Sequence, residues 1–222
     1  NNEFKGLEVA IEGDDEVNPF TIENNVFENN LQHVTDASDL TLNTVFNNND
    51  FSGKYALIRD TGSANDQIQT AIYGEVDEAE SDDGVFAESN ERVEIAGEHD
   101  LDATLDTGSS ESDVTITGVN ENATLTDNGA VTLIDISGNS MTNIEVSDIT
   151  LDLDDGGTSA IIAGSNADDG VVVTNTEILN VQGDSNAIDF QGADTIEDVE
   201  ITDNTFDSDN SYTAVAFADG AI

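Results

Sequence analysis

The sequence predicts an all-β fold of the solenoid type, a chain wound into coils of about 23 to 28 residues. Three observations point there. An apolar anchor recurs, first at Phe4, Phe27 and Phe51 in steps of 23 and 24, then at Leu151, Ile178 and Phe206 in steps of 27 and 28. A short alternating stretch leads into it: an apolar residue stands five positions earlier at Ile22, Phe46, Val146, Val173 and Ile201. Most of these have another two positions before them, at Phe20, Ile144, Val171 and Val199, with Thr44 the exception. Val, Ile and Thr are abundant while Ala-, Leu- and Glu-rich runs are scarce, which favours strands over helices.

The template is therefore apolar-x-apolar-x-(Asn/Asp)-(Asn/Thr)-x-apolar: one strand, a polar corner, then another inward residue. Repeated coils stack such strands about 4.8 Å apart. The anchors Phe4, Phe27, Phe51, Leu151, Ile178 and Phe206 are expected to point inward and form stacked columns. Asn2, Asn25, Asn49 and Asn204 share the corner register, so they are expected to stack as an amide ladder, the alternative being that Asn only suits the turn geometry.

The chain carries 4 Lys and Arg against 49 Asp and Glu, a net charge of −45. A basic face for nucleic acid is excluded, and no apolar stretch approaches the roughly 20 residues of a membrane span. There is no cysteine, hence no disulfide, thiolate metal site or Cys nucleophile. Leu, Ile, Val and Phe make up 57 of 222 residues, above the ~20% level below which an acidic chain stays disordered. So few cations cannot neutralise the chain internally, and folding is expected to need high K⁺ or Na⁺, as in proteins of extreme halophiles.

The copies Phe20-Thr21-Ile22-Glu23-Asn24-Asn25-Val26-Phe27 and Val199-Glu200-Ile201-Thr202-Asp203-Asn204-Thr205-Phe206 resemble the repeats of the right-handed parallel β-helix of the pectate-lyase-like class. Asp66-Gln67-Ile68-Gln69-Thr70-Ala71-Ile72 is similar to the helix that caps many such solenoids, and Val85 to Ile95 and Ser112 to Gly118 resemble the family's opening coils. On this reading residues 1–62 are the terminal coils of one β-helix, 63–84 a cap or linker with a short helix, and 85–222 the opening coils of a second. Joining Ile222 to Asn1 would place Phe206 and Phe4 20 residues apart, slightly under one coil. The expectation is a window on tandem or head-to-tail β-helices, with copies of the chain itself as partners.

The resemblance implies two functional classes. One is a structural or adhesive module of an extracellular filament, a cell surface or a virion appendage in a high-salt organism, with glycans as further partners. The other is a polysaccharide lyase or glycoside hydrolase. Family lyases use a basic residue beside carboxylate-held calcium, and the hydrolases paired carboxylates supported by His, Arg and Lys. Here the basic residues are only Lys5, Lys54, Arg59 and Arg92, His33 and His99 are isolated, and acidic pairs such as Asp82-Asp83 read as solvated surface. No catalytic set is assigned, and the structural class is favoured.

No cofactor is required by the sequence. Oxygen-rich loops suggest Ca²⁺ at Asp152, Asp154 and Asp155, at Asp168 and Asp169, and at Asp207 and Asp209, against the simpler alternative of diffuse K⁺ or Na⁺. None has EF-hand spacing. His33 is expected to be packed or at the surface rather than a general base, and His99, between Glu98 and Asp100, to lie on an exposed edge. Asn122-Ala123-Thr124 is a glycosylation sequon if the chain is exported.

Overall fold

The computed structural model describes residues 1–13, 21–35, 41–62, 66–79, 86–108, 110–128, 132–138, 140–153, 158–164, 169–181, 183, 185–191, 197–208 and 211–218. The architecture is a parallel β-solenoid built as two stacks of coils that share one sheet.

The first stack holds β1 (Glu3–Lys5), β2 (Val9–Glu12), β3 (Val26–Glu28) and β4 (Gln32–Thr35), followed by helix α1 (Leu42–Asn47) and the hairpin β5 (Tyr55–Asp60) and β6 (Gln67–Tyr73). β1 pairs in parallel with β3, placing Phe4 on Phe27, and β2 pairs in parallel with β4, placing Ile11 beside Val34. Val26 bridges to Asp50, which sets Phe51 on the next rung. The three Phe rings stack with centroids 5.0 Å apart at each step.

Phe46, expected at the end of an alternating strand, lies instead in α1. Thr44 is the reason, because it leaves no apolar alternation to bury. Leu42 and Val45, three apart, fall on one helical face and enter the core. Asn49 Nδ2 then donates to the Val45 carbonyl at 2.7 Å, a second donor to an acceptor that also takes the Asn48 N–H at 3.2 Å at the helix end.

The second stack has five coils of three strands each. The first is β7 (Glu91–Ala96), β8 (Glu98–Leu101) and β9 (Leu105–Asp106), and the second is β10 (Ser112–Gly118), β11 (Thr124–Asp127) and β12 (Ile134–Ile136). The third is β13 (Thr142–Ser147), β14 (Thr150–Asp152) and β15 (Ile161–Ala163), and the fourth is β16 (Asp169–Thr174), β17 (Glu177–Leu179) and β18 (Asn186–Phe190). The fifth is β19 (Glu200–Thr202), β20 (Thr205–Asp207) and β21 (Thr213–Phe217). Register stacks Val93, Ile116, Val146, Val173 and Ile201 in one column. A second column runs His99, Leu125, Leu151, Ile178, Phe206. A third runs Leu105, Ile134, Ile161, Ile188, Val215.

The corner dyads divide their work. The first residue, Asn24, Asp148, Asn175 or Asp203, has a φ between 49° and 58°. Asn and Asp tolerate that left-handed geometry better than other side-chain-bearing residues. The second residues Asn25 and Asn204 bond to a neighbouring coil, while Ile149 packs in the core.

Between the stacks the order of the shared sheet is β19-β16-β13-β10-β7-β5-β6-β4-β2. The pairs β7–β5, β5–β6 and β6–β4 are antiparallel and the others parallel, so the strands of the two stacks run in opposite directions. The hairpin has two buried faces. Ala56, Ile58, Ala71 and Tyr73 join the larger core, while Leu57, Ile68 and Ile72, with Tyr55 packed beside them, join the smaller. Side chains alternate across a strand, so the two cores lie on opposite faces of one wall. Reversing both the strand direction and the core face preserves the winding sense, and both stacks advance the same way from β2 to β19.

The helix expected over Asp66 to Ile72 is thus corrected: residues Gln67–Tyr73 form β6, and the short helical turn of this region is a 3-10 turn at Val76–Glu78. The apolar trio Ile68, Ala71 and Ile72 fits a helical face only in isolation. Here two strand edges and two apolar cores must be satisfied at once, which a two-faced strand does and a surface helix does not. The hairpin's exit is tight. A Cβ on Gly74 would stand 1.8 Å from the Asn30 carbonyl oxygen, so only glycine lets the two backbones meet there.

Candidate functional site

Two parts of the molecule concentrate chemistry: the junction around the hairpin and the two tips. At the junction, Lys54 Nζ pairs with Glu75 Oε1 at 2.6 Å, and Glu75 Oε2 lies 3.5 Å from Nδ1 of His99. His99 is fully buried, contrary to the expected exposed edge, because its position is the first rung of the Leu125–Leu151–Ile178–Phe206 column. Its Nε2–H faces the Ala96 carbonyl at 3.0 Å, and Nδ1 stands 3.2 Å from the Val76 amide. Val76 N–H and the Glu75 carboxylate both face Nδ1. Burial pushes the Glu75 carboxyl up, but the His99 and Lys54 contacts outweigh it and hold the group below the ordinary range.

His33 is buried on the other side of the junction. Its Nε2–H donates to the Lys54 carbonyl at 3.1 Å, and Nδ1 accepts from Asn30 Nδ2 at 3.2 Å, the pattern of a neutral ring. Burial pushes its pKa down. Arg59 Nε donates to Glu94 Oε2 at 2.7 Å and Arg92 Nε to Glu94 Oε1 at 3.0 Å, while Arg92 also pairs with Asp66. The Arg59 guanidinium rests 5.8 Å from the Phe46 ring centre. Three of the four basic residues thus sit at the junction, and no Lys or Arg follows Arg92, where 28 Asp and Glu do. Glu91 is nearly buried beside it: burial pushes its carboxyl up, although Glu88 N–H and Gln69 Nε2 both donate to it.

The tips are different. β1 and β2 end one side of the assembly and β19, β20 and β21 the other, each with one backbone edge unpaired among the described residues. Phe4, Val9 and Ile11 at the first tip and Ile201, Phe206 and Val215 at the second are only half-buried. Leu7 and Phe217 are 41% and 43% exposed. Lys5 pairs with Glu28 at 2.5 Å.

The corner asparagines bond from coil to coil. Asn2 Nδ2 and its backbone N–H donate to Asn25 Oδ1 at 3.1 and 3.0 Å, and Asn25 Nδ2 and N–H donate to Asn49 Oδ1 at 3.1 and 2.9 Å. Asn204 lies in the other stack, where its Oδ1 accepts Thr176 N–H at 2.8 Å and its Nδ2 donates to the Val173 carbonyl at 2.8 Å. Phe27, Phe51, Leu151 and Ile178 are buried.

The acidic loops lie largely outside the described residues. Asp154, Asp155, Asp168 and Asp209 lie outside the described residues, and Asp169 is placed only as the first residue of β16. Asp152 accepts from Asn180 Nδ2 at 2.7 Å, and Asp207 is exposed on β20. Among the described residues no three His, Asp or Glu side chains converge as metal ligands. Asn122 is exposed at a corner, its N–H on Asn120 Oδ1. Beside it a groove of about 350 Å³ is lined by Asn120, Glu121, Asp148, Asn175 and Glu177.

Sequence reasoning missed His99 as a column member, since a polar residue at an inward rung breaks the apolar pattern. Its only signal was its place 26 residues before Leu125. No helix among the described residues is long and apolar enough to cross a membrane. Comparison with protein-family models, curated proteins and solved structures gave no match. The class defined by the fold is a parallel β-solenoid whose end strands each have one edge unpaired among the described residues.

Proposed function

We propose that this chain is a structural module that assembles end to end, working in a high-salt medium as part of an extracellular filament, a cell-surface coat or a virion appendage. The observation that carries it is the pair of tips, where strand edges are unpaired among the described residues and apolar rungs are half-buried at both ends of one solenoid. Exposed edges and a bare core section invite another stack of strands. The tips lie at opposite ends of the shared sheet, and a head-to-tail contact between such tips grows into a thread.

The charge distribution supports the high-salt setting. With every described cation but Lys5 at the junction, the five-coil stack is left to cations from solution. The groove beside Asn122 supplies carboxylates and amides suited to the hydroxyl groups of a glycan. The lyase or hydrolase alternative has the fold alone behind it, and a fold hosts many activities.

Sedimentation velocity and electron microscopy of the chain in molar and millimolar KCl test the reading. Species that lengthen with protein concentration in molar KCl, and a chain that unfolds as KCl is withdrawn, are the expected outcome. A folded monomer at every concentration and salt level would overturn it.

A further inference from the structure

Resting on the end-to-end reading, we infer the register of the contact: the N-terminal coil of a second copy sits on the C-terminal coil with Asn2 on Asn204, Phe4 on Phe206 and Lys5 on Asp207. The internal rungs supply the rule. Where one coil follows another, the later corner Asn takes the earlier corner's backbone N–H on Oδ1 and gives Nδ2 to the carbonyl three residues before that corner. Asn49 does this with Asn25 N–H and the Ile22 carbonyl, at 2.9 Å each. Asn204 does it with Thr176 N–H and the Val173 carbonyl.

At the C-terminal tip the next donor and acceptor in this series are Asn204 N–H and the Ile201 carbonyl. The Thr202 carbonyl turns back to accept Asn175 N–H at 3.2 Å, so in a parallel strand the Ile201 carbonyl turns outward. Asn2 is the residue in the same register at the opposite tip; its N–H and Nδ2 donate to Asn25 and its backbone carbonyl accepts Val26 N–H, while among the described residues its Oδ1 receives no hydrogen bond.

The flanking backbone repeats the match. Phe27 N–H donates to the Asp50 carbonyl at 2.8 Å, and Asp50 N–H donates to the Asn25 carbonyl at 2.9 Å. Thr205 N–H is spent on the preceding coil at the Thr176 carbonyl, which leaves Phe206 N–H and the Asn204 carbonyl for the tip. Glu3, one residue before Phe4 as Asp50 is before Phe51, offers the complementary amide and carbonyl. The ring of Phe4 then continues the second column, as it continues Phe27 at 5.0 Å within its own stack.

Charge complementarity agrees with this alignment. Phe4 pairs with Phe27 and Lys5 with Glu28, so Phe4 on Phe206 puts Lys5 opposite Asp207. Lys5 is the one basic residue away from the junction, and it stands at the edge that must approach a strongly acidic tip. In the assembly it lies between Asp207 of one copy and Glu28 of its own, reducing repulsion where two polyanions meet.

The absence of cysteine makes a direct test possible. Lys5→Cys and Asp207→Cys chains, each exposed and each first checked for native circular dichroism, are mixed in molar KCl and oxidised mildly. Adjacent in-register strands bring the two Cα atoms to about 5 Å, within disulfide reach. The expected product is a mixed disulfide that neither variant forms alone at comparable yield. If threads form but only like-with-like disulfides or none appear, this register is wrong while end-to-end assembly stands. If both variants and the parent chain stay monomeric in molar KCl, the register falls together with the assembly it rests on.

Discussion

The two stacks fill one coil template with different chemistry. The N-terminal stack has few rungs and an aromatic interior, Phe4, Phe27 and Phe51 in a ring column with Phe46, Tyr55 and His33 around it. The C-terminal stack has five coils, and its columns are mostly Val, Ile and Leu, with rings at Phe190 and Phe217 stacked 4.8 Å apart towards the tip. A short stack has little height over which to gather apolar area, and an aromatic ring buries more of it per rung than a branched aliphatic chain. Ion pairs divide the other way: they gather where the stacks meet and leave the long stack to be screened from solution. Coil geometry is thus indifferent to which apolar residue fills a rung, while the reversal of direction at the hairpin is not indifferent at all.

The comparison breaks most sharply at Phe27. Phe27→Ala leaves a void between two stacked rings in the smaller core and is expected to cost about 3 to 5 kcal/mol. Amide exchange should accelerate through β1 to β4 well before it does in β10 to β18, because the two cores contact different faces of the hairpin. A loss below about 1 kcal/mol in a urea titration would mean that the ring column does not hold the smaller stack together.

The rung where the columns meet the junction is the next place to look. His99→Leu makes the second column wholly apolar, yet it strands the Val76 amide and the Ala96 carbonyl, each satisfied by the ring. A net loss of about 1 to 3 kcal/mol is expected, the cost of a buried polar group left without a partner. A more stable variant would show that column continuity outweighs the junction's hydrogen bonds.

The smallest effect is in acid. Burial first, with smaller contributions from His99 and Lys54, holds His33 below its ordinary value of 6.5, against the opposing pull of the Lys54 carbonyl and Glu75. Above pH 6.5 the ring is neutral in folded and unfolded chain alike, and its contribution is complete. As pH falls below 6.5 the unfolded chain binds a proton that the folded ring refuses, so stability declines. The urea midpoint of the parent chain should therefore drop between pH 6.5 and about 5.5, and drop less in His33→Gln. Equal slopes would assign the drop to a group other than His33.

The strand template was legible because burial of one face imposes a period of two and stacking imposes a period of one coil, and both are written in the order of residues. Phe4, Phe27 and Phe51 announce one column, and Leu151, Ile178 and Phe206 another. Corner Asn and Asp were legible for a related reason, since few other residues accept the left-handed backbone at Asn24 or Asp203. His99 was not, because its partners Val76, Ala96 and Glu75 reach it only through the folded junction. Nor was the gathering of Lys54, Arg59 and Arg92, which are scattered along the chain.

What the sequence determined by itself is local: alternation, coil length, corner chemistry and acidity. What the tertiary structure decided is how the halves are joined. Ile68, Ala71 and Ile72 suit a helix or a strand equally when considered alone, and only the presence of an apolar core on each side, with an unpaired strand edge above and below, selects the strand. That choice reverses the strand direction, keeps the winding sense and makes one wall serve two cores. Periodicity within a segment is a property of its own residues, but a wall with two buried faces exists only once both neighbours are in place.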